Sequence, residues 1–153
     1  MATCPETNRD ALRIGLEEGH ISALVAEDAA SSGGPLAGWL RFGAPATNKS
    51  MAQRVYTGLK CFSGSREGVL SIYCMLVAPE QRRRGVARAL IAGLIEEARN
   101  RGFTAIEALP RGAIDVRDEE LWTGPLQLYL EAGFEIVHDF APYPVVRLAL
   151  AAS

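Results

Sequence analysis

The segment Gly85–Arg101 constrains the fold of this chain more than any other. Val86, Leu90, Leu94 and Ala98, with Ala87, Ile91 and Ile95, recur at helical spacing and make a wide apolar face. This predicts a long amphipathic helix with one side in a core. Gly102 supplies its stop. Val69–Val77, before it, is rich in β-branched and aromatic residues and is ended by Pro79; Phe103–Leu109, after it, reads as a further strand. Strand, helix and strand in succession predict a parallel pair joined by a right-handed crossover.

The remaining elements are arranged around that unit. A short helix is expected over Arg9–Glu18, capped by Thr7 or Asn8 and stopped by Gly19. Ile21–Glu27 and Leu36–Phe42 read as a hairpin, because Ser31-Ser32-Gly33-Gly34-Pro35 between them is turn chemistry. Gly43–Gly58 is irregular, with a short helix expected around Ser50–Tyr56. Beyond the polar stretch Arg111–Glu120, Pro125–Ala132 reads as a short helix with proline in its first turn and Gly133 just past its end. Phe134–Phe140 and Val145–Leu150 close the chain as strands. With no repeat or linker, residues 1–153 are expected to form one α+β domain.

The 153 residues are 48% hydrophobic and 22% charged, enough apolar content for a core in a single domain. The net charge of −2 argues against a nucleic-acid binder. No apolar run reaches the roughly 18 residues of a membrane span, and Met1–Asp10 lacks a secretory pattern. Cys4, Cys61 and Cys74 are odd in number and lack a Cys-x-x-Cys pair, which argues against disulfides and a metal site. His20 and His138 share no motif. A cytoplasmic protein without nucleic-acid, membrane or metal partners is expected.

The chemistry concentrates where Leu76-Val77-Ala78-Pro79-Glu80-Gln81-Arg82-Arg83-Arg84-Gly85-Val86-Ala87 leads from a strand into the long helix. Amides at a helix N-terminus lack intrahelical partners and sit at the positive end of the dipole, a geometry that accepts phosphate. Gly85 and Ala87 leave the backbone unobstructed, and Arg82, Arg83, Arg84 and Arg88 add positive charge. The Gly-Lys-Ser/Thr ending of a nucleotide P-loop is missing, as are the three spaced glycines of a dinucleotide site. A solvated charged turn is the competing reading of these arginines.

Arg82-x-x-Gly85-x-Ala87 after Val77-x-Pro79 resembles the coenzyme A motif of the GNAT family of N-acetyltransferases, Gln/Arg-x-x-Gly-x-Gly/Ala between a strand and a long helix. Leu128-Tyr129-Leu130-Glu131-Ala132-Gly133-Phe134 resembles the family's Tyr-x-x-x-Gly-Phe segment. Gly38-Trp39-Leu40-Arg41-Phe42-Gly43 and the Asn8–Glu18 helix look like a bacterial branch, whose acceptor does not carry over. The resemblance implies a GNAT-like mixed, mostly antiparallel twisted sheet flanked by helices. Only one short helix fits before the hairpin, so the family's N-terminal strand is expected to be absent or supplied by a partner chain.

The resemblance further implies acetyl-coenzyme A as co-substrate and acyl transfer to a small-molecule or protein amine. The cofactor would be held by Met75, Leu76, Val77, Arg82, Arg83, Arg84, Gly85, Val86, Ala87 and Arg88. The main chain of Leu76 and Val77 would meet the pantetheine arm, and the amides of Arg83–Ala87 the pyrophosphate. Tyr129 would be the general acid, since a phenol of pKa about 10 can protonate a leaving thiolate whose parent thiol lies near 8.5. Glu107 is the candidate general base, on a strand where it points into the cleft or outward to water; Asp115, Asp118 and Glu119 are alternatives, and a water chain would also serve. Glu80 is expected to pair with the arginines and Cys74 to pack in the core. Trp39 and Trp122 read as core or cleft wall. A non-catalytic coenzyme A-binding module is the competing function, and an exposed sheet edge makes a homodimer conceivable.

Overall fold

The computed structural model describes residues 13–19, 22–27, 35–45, 58–112 and 121–151. Helix α1 covers residues 13–17, and Gly19 follows with φ 71°. The first part of the predicted Arg9–Glu18 helix and the expected absence of a preceding strand fall outside the described residues. So do the predicted helix at Ser50–Tyr56 and the carboxylates of Asp115, Asp118 and Glu119.

Six strands form one mixed sheet in the order β1-β2-β3-β4-β6-β5. β1 (Ser22–Glu27) and β2 (Leu36–Gly43) make the predicted antiparallel hairpin. β3 (Val69–Val77) pairs antiparallel with β2 and parallel with β4 (Ala105–Ala108). β6 (Val145–Ala149) lies between β4 and β5 (Glu135–His138), antiparallel to both. The architecture is the expected mixed, mostly antiparallel sheet with flanking helices.

Helix α2 (Val86–Asn100) provides the crossover and α3 (Leu126–Glu131) is a shorter second helix. Leu90, Ile91, Leu94 and Ala98 of α2 pack on Leu40, Phe42, Leu70, Ile72 and Ile106 of the sheet, with Tyr129 of α3 in the same core. The opposite sheet face carries a smaller cluster, in which Leu109 and Val145 meet Cys61 and Phe62 of a 3-10 turn, Lys60–Phe62.

Strands β4 and β5 begin later than the sequence predicts, for one shared reason. Gly102 N–H bonds to the Arg99 carbonyl at 3.0 Å and Phe103 N–H to the Ala98 carbonyl at 2.9 Å, so Phe103 completes the end of α2. Gly133 and Phe134 repeat the pattern on Leu130 and Tyr129, each at 3.0 Å. Both are Schellman closures around a glycine at positive φ, 75° and 90°. The Tyr129–Phe134 ring contact, edge to face at 5.3 Å, is the hydrophobic contact that accompanies such a cap.

The sheet splits between β3 and β4. These strands pair only over Val69–Ser71 and Ala105–Glu107. Just beyond, Phe42 faces Ile72 while Arg41 faces Cys74, so Tyr73 is an extra residue on β3. A bulge of this kind bends and twists its strand. The rest of β3 keeps β2 as its partner and turns away from β4, leaving one edge open.

Candidate functional site

The opening between β3 and the segment after β4 is a cleft of about 800 Å³. Its walls include Met75, Leu76 and Val77 of β3, and Arg82, Arg83, Gly85, Val86, Ala87 and Arg88 at the start of α2. These are the residues expected at a cofactor site, with one exception. Arg84 lies off the cleft wall and donates to Gln81 Oε1 at 2.9 Å.

Backbone alternation sorts the β3 groups. Met75 N–H points away from β2 and donates to the Trp122 carbonyl at 2.8 Å, while Ala78 N–H donates to the Ala37 carbonyl of the β2 side at 2.9 Å. With a period of two, the peptide of Val77 faces the cleft and that of Leu76 faces β2. Leu76 instead presents a side chain that is 54% exposed. Gly38, opposite Val77, makes this close pairing possible: a Cβ there would meet the Leu76 carbonyl oxygen at 2.7 Å.

At the other end of the cleft, Gly85 is the N-cap of α2 at φ 84° and offers no side-chain cap to the first amides. A Cβ at Gly85 would meet nothing within 4 Å, so the space in front of the helix is open. Arg83 also has positive φ, 60°. Left-handed residues beside a helix start turn successive N–H groups outward into an anion-binding concavity. Arg82 reaches back with Nε 3.5 Å from the Val77 carbonyl, and Arg88 forms an ion pair with Glu131 at 2.6 Å. Hydrogen bonds from Arg88 and Gln127, with the Arg88 charge, hold the Glu131 carboxyl below its usual range. Glu80, expected to pair with these arginines, makes no ion pair among the described residues.

Tyr129 is fully buried beneath the cleft floor, 0% exposed. Its hydroxyl donates to the Thr123 carbonyl at 2.5 Å. Burial, and then the neighbouring Cys74, push its phenol above the ordinary value, so it stays protonated at neutral pH. Gly124 keeps this floor thin: a Cβ there would meet Met75 Cε at 2.7 Å and the Tyr129 ring at 3.6 Å.

Glu107 lies away from the cleft wall, on the face opposite α2. It is 0% exposed, accepts from Arg66 Nη1 at 2.8 Å and from Arg147 Nε at 2.7 Å, and so is enclosed by two guanidinium groups. Of the two orientations open on sequence grounds, cleft or solvent, the structure takes neither. Both arginines are distant in sequence and give no local signal of the pairing. Cys74, expected in the core, is half-buried in the cleft wall; burial raises its thiol, with the Arg41 charge and a Met75 backbone hydrogen bond partly offsetting. Trp122 also lines the cleft, whereas Trp39 does not.

Beside Gln81 of the arginine turn, the rest of the wall is Leu121, Gly124, Pro125 and Leu128, which went unrecognised in the sequence. Their location depends on the Met75–Trp122 hydrogen bond, which no local pattern announces. Among the described residues no group of three His, Cys, Asp or Glu side chains is placed to hold a metal ion. Nor is any of their helices long and apolar enough to cross a membrane.

Over residues 5–120 the sequence matches the profile of the Acetyltransferase (GNAT) family. That match stops short of Tyr129. A comparison with curated proteins gave no match. Solved structures of similar fold include an N-acetyltransferase from Staphylococcus aureus, with 16% identity and a TM-score of 0.59 over 94% of this chain and 76% of that one. A ribosomal-protein-alanine N-acetyltransferase from Brucella melitensis has 20% identity and a TM-score of 0.59, covering 98% and 81%. A phosphinothricin acetyltransferase from Sinorhizobium meliloti, solved with acetyl-coenzyme A, has 17% identity and a TM-score of 0.60, covering 94% and 69%. At such identities the likeness establishes the fold.

Proposed function

The chain belongs to the acetyltransferase (GNAT) family, and from that premise we propose that it transfers an acetyl group from acetyl-coenzyme A to a primary amine, by direct attack with both substrates bound. The observation that carries this reading is the cleft itself. An open strand edge, with the Val77 peptide turned into it, leads to an uncapped helix start rimmed by Arg82, Arg83 and Arg88. That sequence of groups suits an extended amide-bearing arm followed by a pyrophosphate.

Val77 would pair with the arm as a short extra strand, and the first amides of α2 would take the phosphates. Leu76, Met75 and Leu128 supply apolar wall to exclude water around the thioester. In the reaction the amine nitrogen bonds to the acetyl carbon, the carbon–sulfur bond breaks, and the leaving sulfur takes a proton. Tyr129 lies beneath that wall, its ring 3.6 Å from a Cβ placed at Gly124, and its raised pKa keeps it protonated. To donate, its hydroxyl must turn from the Thr123 carbonyl toward the cleft. Solvent water, rather than the arginine-bound Glu107, would accept the proton from the amine.

Calorimetric titration with acetyl-coenzyme A tests the binding half: micromolar to submillimolar affinity is expected, and no binding at millimolar ligand would sink the proposal. Thiol release over a panel of amines tests turnover. One observation favours a second reading, a coenzyme A-binding module without turnover: the Tyr129 hydroxyl is fully buried and bonded to Thr123. Binding without thiol release from any amine would select it.

A further inference from the structure

Two hydrogen-bond donors at the cleft are held by consecutive carbonyls of one turn. Leu121–Gly124 closes on itself, the Gly124 N–H donating to the Leu121 carbonyl at 2.8 Å. Within it the Trp122 carbonyl accepts from Met75 N–H at 2.8 Å. The next carbonyl, of Thr123, accepts from the Tyr129 hydroxyl at 2.5 Å. A third tie runs from Thr123 Oγ1 to the Leu109 carbonyl at 2.7 Å. Thr123 is buried under these contacts, whereas Trp122 beside it is exposed. The turn joins α3 through Gly124, at φ 83°, whose carbonyl accepts from Arg111 N–H at 3.0 Å. Three side-on hydrogen bonds therefore hold a four-residue unit whose downstream joint is a glycine.

Acetyl transfer calls on both donors. Negative charge develops on the thioester oxygen as the amine attacks, and a backbone N–H aimed at that oxygen stabilises it. The sulfur then takes a proton. Met75 N–H turns away from β2 into the splay, closer than Val77 to the point where β3 and β4 part, and Tyr129 lies beneath the same wall. Each donor is engaged, and by adjacent residues, so freeing either one moves the same turn. We propose that the Leu121–Gly124 turn is a latch, shut in this structure, whose lifting releases the Met75 amide and the Tyr129 hydroxyl together, with Thr123 as the positioning residue that holds it shut. This rests on the acetyl-transfer reading above and adds a gate to its chemical step. The Val77 peptide and the first amides of α2 lie outside these contacts. Acetyl-coenzyme A therefore binds with the latch shut, and turnover waits for it to lift.

Amide hydrogen exchange of Met75 in the ligand-free protein tests the shared latch, with the amide of Leu94, buried in α2, reporting global opening. Thr123→Val keeps the side-chain shape and loses the tie to Leu109; Tyr129→Phe loses the tie to the Thr123 carbonyl. Neither removes a partner of the Met75–Trp122 bond. Each should nevertheless speed Met75 exchange about 5- to 10-fold relative to Leu94, the equivalent of one lost hydrogen bond. Thr123→Ser, which keeps the hydroxyl, should retain most of the protection and guards against a folding defect in the valine variant. In turnover, Thr123→Val should raise kcat by a similar factor, with the affinity for acetyl-coenzyme A unchanged. Met75 exchange that merely follows Leu94 in both variants would make the two hydrogen bonds independent and overturn the latch. A kcat in Thr123→Val at or below wild type would overturn it as well. The exchange measurements need no ligand. Failure of wild type to bind acetyl-coenzyme A would instead defeat the acetyl-transfer reading, so the two failures are distinct.

Discussion

Replacing Gly85 with alanine, glutamine and glutamate separates backbone strain, bulk and charge at the helix start. All three force a side chain onto a residue at φ 84°, a left-handed conformation that costs about 1–2 kcal/mol for an L-residue. No steric penalty adds to this, since a Cβ there meets nothing within 4 Å. The three variants should therefore lose similar stability, about 2–4 °C of melting temperature per kcal/mol for a domain of this size. Only glutamate places a negative charge where a phosphate is to bind. Two like charges about 4 Å apart repel by about 1 kcal/mol in bulk water and about 4 kcal/mol at an effective dielectric of 20. The cleft is open at this end, so about 1–2 kcal/mol applies, or roughly 5- to 30-fold weaker binding than glutamine gives. Calorimetric titration with acetyl-coenzyme A at low and high salt measures that gap. It should shrink near 1 M salt, where the Debye length falls to about 3 Å. Equal affinities for Gly85→Glu and Gly85→Gln at low salt would refute the placement of an anion at this helix start.

Tyr129→Phe removes a buried hydroxyl and strands the Thr123 carbonyl, so stability should fall by about 1–3 kcal/mol. If the phenol also protonates the leaving sulfur, kcat should drop by about 100-fold with the KM for acetyl-coenzyme A unchanged; a stability loss alone would restrict Tyr129 to packing. The raised Tyr129 pKa carries a sign: its stabilisation is intact below about pH 10, the unfolded value, and is lost as pH climbs toward the folded one. Ultraviolet titration should therefore show one tyrosine ionising only with alkaline unfolding, a delay that Tyr129→Phe abolishes. Glu107→Gln leaves Arg66 and Arg147 without their buried counter-charge and should destabilise by about 2–3 kcal/mol, less than a fully buried pair because both arginines are partly exposed. The pH profile of kcat/KM should keep its acidic limb in that variant; its disappearance would restore Glu107 as a base. Cys74 should react slowly with thiol reagents at neutral pH, faster only above the ordinary thiol range, and be protected by acetyl-coenzyme A, while labelling unaffected by that ligand would remove Cys74 from the cleft wall.

Local chemistry was enough for the elements and for one half of the cleft. The apolar stripe of α2, the β-branched run of β3 and the Gly85 start are adjacent in sequence, so their periodicity and capping residues carried both the fold and the anion end. The Tyr129-x-x-x-Gly133-Phe134 pattern is similarly local, and its physical content is a Schellman cap that also closes α2 at Ala98, Gly102 and Phe103. Tertiary structure alone decided the rest. Tyr73 becomes a bulge only through the register of β2 on β3, and that bulge opens the edge on which the cleft depends. Glu107 became an enclosed counter-ion because Arg66 and Arg147 converge on it from distant parts of the chain, where no spacing rule could signal them. Being charged is a property of sequence; being enclosed, as Glu107 is, belongs to the neighbours that folding brings to its side.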